Sequence, residues 1–308
     1  MLVNTNEMFR KAYAEGYAVA AFNVDSVEIL DAVIKGALKA SSPVIIGVSE
    51  RMLRSVPYLI ETTLNAADRA RIPVALHLDH GKSVEICKEC VDLGFSSVMI
   101  DASKYDFEEN IRQTRVVVEY AHRRDVSVES ELGIITGKEE DLDVSSRYGE
   151  FTRPDEAVEF IERSGTDSLA ISIGTCHGAY KYKPGQKPFL RFDILKEISD
   201  AAPGFPIVLH GASSINQKML SVFNEYGGCL PKAIGVPFDL IREASRMAVC
   251  KVNYASDLRL CYFAEMRRQL ALHPDTYDSA KFFVPCRQAI EDCVYDTIIN
   301  AVGSGGKA

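Results

Sequence analysis

Three histidines in this chain are each followed at once by glycine: His80-Gly81, His177-Gly178 and His210-Gly211. Each pair closes a short apolar stretch, Pro73-Val-Ala-Leu-His-Leu-Asp-His-Gly, Ser168-Leu-Ala-Ile-Ser-Ile-Gly-Thr-Cys-His-Gly and Pro206-Ile-Val-Leu-His-Gly. If these stretches are parallel neighbouring strands, their ends share one face and the three imidazoles can meet around one metal ion. Neutral imidazole nitrogens suit a borderline divalent ion such as zinc, and three protein ligands leave a position open for substrate. A single histidine after a strand is ordinarily a surface or packing residue, but three in equivalent places argue against that reading.

Other polar side chains sit where the same kind of strand would end. His77 and Asp79 share one face of the strand, and His80 begins the loop, which makes His80 the ligand and His77 a hydrogen-bonded core residue. Asp79 can orient a ligand, bind the metal or carry a proton, and its place at the tip favours proton transfer. Asp101 and Glu131 would serve as groups behind the ligands or as alternative ligands. His122 and His273 fall on helical stretches and read as surface. Gly178, the run Gly211-Ala-Ser-Ser214 and the run Asn253-Tyr-Ala-Ser256 supply backbone N–H groups suited to an anion, and Lys181 adds a charge nearby.

Those tips need a scaffold, and the pattern supplies one. Apolar strands are predicted at residues 17–24, 43–49, 73–79, 95–101, 126–132, 168–174, 206–210 and 249–253. Helical spacing lies between them at 26–39, 58–69, 83–93, 107–123, 154–163, 192–201, 215–225 and 238–247, after a first helix over 4–16. Eight such units close into a (β/α)8 TIM barrel. We read residues 1–308 as one domain, with 257–308 as a C-terminal helical extension that covers the barrel or meets a partner subunit. The polar segment 133–152 lacks periodicity, as a functional loop does.

Composition bounds the rest. Lys and Arg total 35 against 43 Asp and Glu, a net charge of −8, which excludes a general nucleic-acid surface and leaves any phosphate site local. No stretch approaches the roughly 20 apolar residues of a membrane span, and no basic and apolar leader opens the chain. The expected location is cytoplasmic. The eight cysteines are scattered, as reduced thiols are in a reducing compartment, and Cys87 with Cys90 lies on a helical stretch, where packing is the simpler reading than zinc binding.

Taken together, Val74-Ala-Leu-His-Leu-Asp-His-Gly, Gly94-Phe-Ser-Ser-Val-Met-Ile-Asp-Ala-Ser, Val126-Ser-Val-Glu-Ser-Glu-Leu-Gly, Ile173-Gly-Thr-Cys-His-Gly-Ala-Tyr-Lys and Val208-Leu-His-Gly-Ala-Ser-Ser make the chain resemble, over nearly its whole length, the class II metal-dependent fructose-bisphosphate aldolases of the short-chain branch. The resemblance implies zinc on His80, His177 and His210, a monovalent cation as a second ion, and Asp79 as the acid/base for the aldehyde hydroxyl. It implies that Gly178, Lys181, Gly211, Ser213 and Ser256 bind the phosphate of dihydroxyacetone phosphate, that Asn253 contacts its hydroxyls, and that Asn23 and Ser49 line the pocket. Glu140, on the loop Gly137-Lys-Glu-Glu-Asp141, would shuttle the carbon-bound proton. Arg259 would receive the second phosphate, with Asp278 near it across a dimer interface. The partner is then a small phosphorylated sugar in glycolysis, and the assembly a homodimer or homotetramer.

The chain departs from the family pattern at three places. Ala255 replaces the aspartate that positions sugar hydroxyls in Asn-x-Asp, Lys104-Tyr105 replaces a histidine pair, and Thr136 replaces a loop glycine. These changes leave open a different aldehyde half, such as tagatose bisphosphate or a deoxy-sugar phosphate, or a metal-binding paralogue with little turnover.

Overall fold

A computed structural model describes residues 1–133, 135, 138–139, 142–143, 151–178 and 187–308. Eight parallel strands close on themselves: β1 Val19–Asn23, β2 Val44–Ser49, β3 Val74–Gly81, β4 Ser97–Ile100, β5 Ser127–Leu132, β6 Ser168–Ile171, β7 Ile207–Leu209 and β8 Val249–Tyr254. Each pairs with the next in sequence, and β8 returns to β1 through Phe22 opposite Tyr254. Helices follow the strands, as in a TIM barrel, and among the described residues the predicted eight strands appear in the predicted order, with helices between them.

Local chemistry starts and stops these helices. Ser26, Ser83 and Asp106 each accept a hydrogen bond from a backbone N–H three residues on, so the helices Val27–Lys39, Val84–Asp92 and Phe107–His122 begin where a side-chain oxygen satisfies an otherwise unpaired donor. Cys87 and Cys90 are buried on the middle one, as helix packing requires. One helix escaped the sequence pattern: Glu50–Ser55 is a short helix directly after β2, capped by Ser49.

The strands' alternation divides two environments. Outward side chains such as Ala20, Phe22, Val44, Ile46, Leu76 and Val98 join the core beneath the helices. Inside, Val19, Ala21, Ile45 and Ala75 meet Met8, Phe9 and Ala12 of the first helix, Thr5–Glu15, which plugs the end of the barrel where the strands begin. Polar residues occupy the other end. Burying apolar area at about 25 cal/mol per Å² on both sides of the strands anchors the sheet that carries the polar tips.

The C-terminal region forms helices Ser256–Leu272 and Ser279–Asp296, then a π-helical turn Thr297–Val302. The first ends at Leu272, where His273 N–H still bonds Gln269 O at 3.0 Å. The chain end returns to the strand origins: Ala18 N–H donates to Val302 O at 3.0 Å and Gly306 N–H to Ala40 O at 2.9 Å. Among the described residues, no helix is long and apolar enough to cross a membrane.

Candidate active site

The tip of β3 breaks the two-residue alternation of a strand. Against β4, Leu78 pairs with Val98 but Gly81 pairs with Ile100, so β3 carries one extra residue there, a β-bulge. His80 takes up the extra length with a left-handed φ of 50°. Neighbouring residues then serve one site: Asp79 is 3% and His80 8% exposed, and candidate ligand atoms of Asp79, His80 and His210 lie within 4.8 Å of one another. The expectation that β3 stops at Asp79 with His80 in a loop is thereby corrected, since hydrogen bonding to β4 continues to Gly81.

Three imidazoles gather at these strand ends. Ring centroids of His80 and His210 are 4.6 Å apart, His80 and His177 5.4 Å, and His177 and His210 6.3 Å. Backbone proximity makes the cluster possible. Gly211, at φ 62°, lies so near the β6 loop that a Cβ there would stand 2.6 Å from the carbonyl carbon of Cys176, so the lack of a side chain lets the His177 and His210 segments touch. Gly47 of β2 does the same for Asn23, whose Oδ1 would meet a Cβ at 2.5 Å.

Two of the three rings are oriented from behind by carboxylates. His80 Nδ1 lies 2.9 Å from Asp101, whose other oxygen accepts from the Ser103 hydroxyl at 2.7 Å. Burial alone would raise the Asp101 carboxyl, but hydrogen bonds from His80 and Ser103 prevail and hold it well below the usual carboxylate range. Glu131 stands 3.9 Å from the same His80 nitrogen, making His80, Asp101 and Glu131 a second metal-capable group. His210 Nε2 is 2.7 Å from Glu129. Burial, then the charge of His80, lowers the His210 imidazole pKa and favours the neutral ring a metal needs.

Asp79 is clasped between two amides. Asn23 Nδ2 donates to one carboxylate oxygen at 2.7 Å and Asn253 Nδ2 to the other at 2.8 Å. The Oδ1 atoms of Asn23 and Asn253 are buried and have no hydrogen-bond partner among the described residues, as acceptors awaiting hydroxyl donors would be. Below lies Lys251, wholly buried, bonded to both oxygens of Glu129 at 3.0 and 2.7 Å and to His77 Nε2 at 3.1 Å. His77 is the hydrogen-bonded core residue its sequence position predicts, with Nδ1 2.8 Å from the Ser97 hydroxyl. Burial and then the Lys251 charge push its pKa down to about 3.

A family model, Fructose-bisphosphate aldolase class-II, matches residues 3–307. The fructose-bisphosphate aldolase of Treponema pallidum is 43% identical over 326 residues, covering 100% of this chain and 98% of that protein. The chain belongs to the class II fructose-bisphosphate aldolase family. The family's fructose-bisphosphate aldolase from Thermus caldophilus is 41% identical with 100% of both chains covered. The crystal structure of the YdjI aldolase from Escherichia coli K12 superposes with a TM-score of 0.80 at 32% identity, again over 100% of both chains. Membership makes the protein an aldolase, a lyase of a class that is metal-dependent as a rule, and the two metal-capable groups above lie at the strand ends where a TIM barrel carries its chemistry.

Of the other predicted positions of this class II aldolase, those among the described residues lie at or just after the ends of β2, β6 and β7 and on the two C-terminal helices or at their starts. Gly178 and Gly211 both adopt positive φ, 87° and 62°, at the β6 and β7 ends. Ser213 is buried and its hydroxyl accepts from Ala255 N–H at 3.4 Å. Ser256 opens the helix Ser256–Leu272, whose N-terminus has no side-chain cap. Ser49 neighbours Asp79 in register, but its hydroxyl accepts from Met52 N–H at 3.4 Å. Arg259 grips Asp25 with two nitrogens at 2.8 and 3.2 Å. Asp278 caps its own helix through Ala280 N–H at 3.1 Å. Glu140, Lys181 and Thr136 lie outside the described residues.

Sequence reasoning missed four groups. Asp257, 3% exposed, accepts from Ser214 N–H at 2.8 Å and Asn216 N–H at 3.1 Å, tying the β7 loop to β8. Asp25 carries no local signal of its bond to Arg259. Glu129, inside Val126-Ser-Val-Glu-Ser-Glu-Leu-Gly, carries no local sign of its partners, whereas Lys251, inside Val249-Cys-Lys-Val-Asn and two residues before Asn253, is a legible sign of an inward charge.

Proposed function

We propose that this enzyme reversibly cleaves fructose 1,6-bisphosphate to dihydroxyacetone phosphate and glyceraldehyde 3-phosphate with a zinc ion held by His80, His177 and His210. The supporting observation is the placement of Asp79, fixed by Asn23 and Asn253, beside three mutually adjacent imidazoles. The donor set fits zinc: nitrogen ligands, a neutral His210 and carboxylates aligning two of the rings. With Asp101 on Nδ1 of His80 and Glu129 on Nε2 of His210, ligation falls to Nε2 of His80 and Nδ1 of His210. Bound there, zinc supplies Lewis-acid stabilisation of negative charge that develops on the ketone half.

The chain's own groups do the rest. Asp79 takes the proton of the C4 hydroxyl as the C3–C4 bond breaks, and Asn253 and Asn23 keep its carboxylate aimed while their buried carbonyl oxygens accept substrate hydroxyls. Backbone N–H groups near Gly178 and Gly211, the hydroxyl of Ser213 and the uncapped helix start at Ser256 receive the ketone-half phosphate, with Lys181 adding charge. Glu140 returns a proton to the carbon of the ketone half. Arg259 receives the second phosphate, exchanging Asp25 for it. Exposed Phe263, Leu270, Tyr277 and Val284 on the C-terminal region support a homodimer or homotetramer, and the glycolytic role supports a cytoplasmic location.

A second reading rests on Ala255: a ketose phosphate with a different aldehyde half, such as tagatose bisphosphate or a deoxy-sugar phosphate. Two assays on the zinc-loaded enzyme decide. Zinc-dependent exchange of a carbon-bound proton of dihydroxyacetone phosphate together with cleavage of fructose 1,6-bisphosphate is the expected result. Exchange without cleavage transfers the case to the second reading, and no exchange after zinc is restored overturns the aldolase mechanism for this chain.

A further inference from the structure

The layer beneath the three imidazoles is a chain of donors and acceptors whose proton positions can be worked out from one end. Lys251 is 0% exposed, and an ammonium has only hydrogens to give. His77 Nε2, 3.1 Å away, therefore accepts, and the His77 proton sits on Nδ1, where it meets the Ser97 hydroxyl at 2.8 Å. The other bonds of Lys251 go to both oxygens of Glu129, at 3.0 and 2.7 Å. That grip turns Oε1 of Glu129 toward His210 Nε2, 2.7 Å away, and a carboxylate oxygen can only accept. The His210 proton is thus on Nε2. From the other side, Asn253 Nδ2 donates toward His210 Nδ1 at 3.3 Å, so that nitrogen presents a lone pair.

We propose that Lys251 and Glu129 form a positioning pair that sets the tautomer and tilt of His210, with Nε2–H toward Glu129 and Nδ1 as the coordinating atom, and thereby sets the affinity of the site for zinc. The inference rests on the zinc-site reading above. Neither residue is among the zinc ligands or substrate contacts assigned above. A buried carboxylate with one donor would be expensive to keep, and one free to rotate would hold His210 loosely. The doubly bonded ammonium offsets the charge and stops the rotation. Ser97 and His77 fix Lys251 in turn, so the arrangement extends across β4, β3, β8, β5 and β7, a span that local sequence cannot encode.

The test is zinc affinity of metal-depleted full-length protein, measured by competition with a chromophoric chelator, for wild type, Lys251→Met, Glu129→Gln and the double variant. In Glu129→Gln, Lys251 claims the amide oxygen and leaves the amide nitrogen facing His210 Nε2, which selects the wrong tautomer. Affinity should fall about 10- to 100-fold. Lys251→Met should lose a comparable factor because Glu129 is left loose and uncompensated. In the double variant the amide can rotate to accept from Nε2–H, so affinity should recover to within about fivefold of wild type, a rescue that a purely structural role does not produce. The absorption spectrum of the cobalt-substituted protein should change in Glu129→Gln and return in the double variant. Unchanged affinity in both single variants, or losses that simply add in the double, overturns the proposal. If Lys251→Met does not fold, the near-isosteric Glu129→Gln and the double variant decide alone. His210→Ala in the same titration separates the two readings: if it binds zinc as tightly as wild type, the zinc site itself is wrong, whereas if it loses zinc while Glu129→Gln does not, only the positioning pair fails.

Discussion

At the end of β3, Asp79 is held by two amides at 2.7 and 2.8 Å and His80 by Asp101 at 2.9 Å, whereas the end of β8 passes from Asn253 to Asp257 through Ala255, which contributes only a methyl group. The first tip is fixed by side chains from β1, β8 and the segment after β4. The second uses its one buried carboxylate, Asp257, to tether another loop. Catalytic groups need sub-ångström placement, so several partners converge on them. A pocket wall that selects an aldehyde can change by a single side chain while the chemistry stays intact. The contrast suggests that reaction type is written at β3 and substrate choice at β8.

The largest effect should come from the β3 tip. Asp79→Ala is expected to lower kcat for ketose cleavage by about 10²- to 10⁴-fold, the usual contribution of a positioned general acid or base, with zinc content unchanged by metal analysis. Retained cleavage would remove Asp79 from proton transfer. Lost zinc would instead make it a ligand, and the division of labour between Asp79 and His80 would fail.

A middle effect is expected at Asp257. In Asp257→Asn one carboxylate oxygen becomes an amino group facing a backbone N–H, so either Ser214 or Asn216 loses its acceptor. Breaking a buried charge-assisted bond costs on the order of 1.5–3 kcal/mol. The loop after β7 carries Ser213 and Ser214, so part of that loss should surface as a KM for the phosphorylated ketose raised about 10-fold, with kcat changed little. A fall in kcat with KM constant would show that the β8 tip acts on chemistry, against the proposed separation.

These features were unevenly legible in the sequence. The barrel and the meeting of His80, His177 and His210 follow from repeated apolar runs and from parallel strands ending on one face, both local signals joined by one topological rule. The bulge was not legible, because nothing in Leu-Asp-His-Gly says that His80 adopts a left-handed φ, so Asp79 and His80 looked like residues of different faces. The short helix after β2 was missed because Ser49 reads equally as a strand end and a cap. Bonds such as Arg259 to Asp25, separated by 234 positions, exist only once β1 and β8 close the barrel. Lys251 falls between: its inward face was readable from the period of two, its partners were not.

The smallest effect is the one that bears most on the comparison. Ala255 sits at φ −126° and ψ −52°, directly before the uncapped helix Ser256–Leu272, and its N–H reaches the Ser213 hydroxyl. Ala255→Asp places a carboxylate between Asn253 and Ser256, where it can accept from sugar hydroxyls and also cap the helix. One added hydrogen bond of about 1 kcal/mol should raise kcat/KM for fructose 1,6-bisphosphate roughly fivefold. Capping raises thermal stability instead, by a comparable free energy, so the melting midpoint is measured beside the kinetics. A higher midpoint with unchanged kcat/KM would show that the position governs only the helix start, and substrate choice would have to lie elsewhere than β8. A gain confined to fructose 1,6-bisphosphate, absent with a ketose phosphate of different aldehyde half, would assign specificity to this one missing side chain.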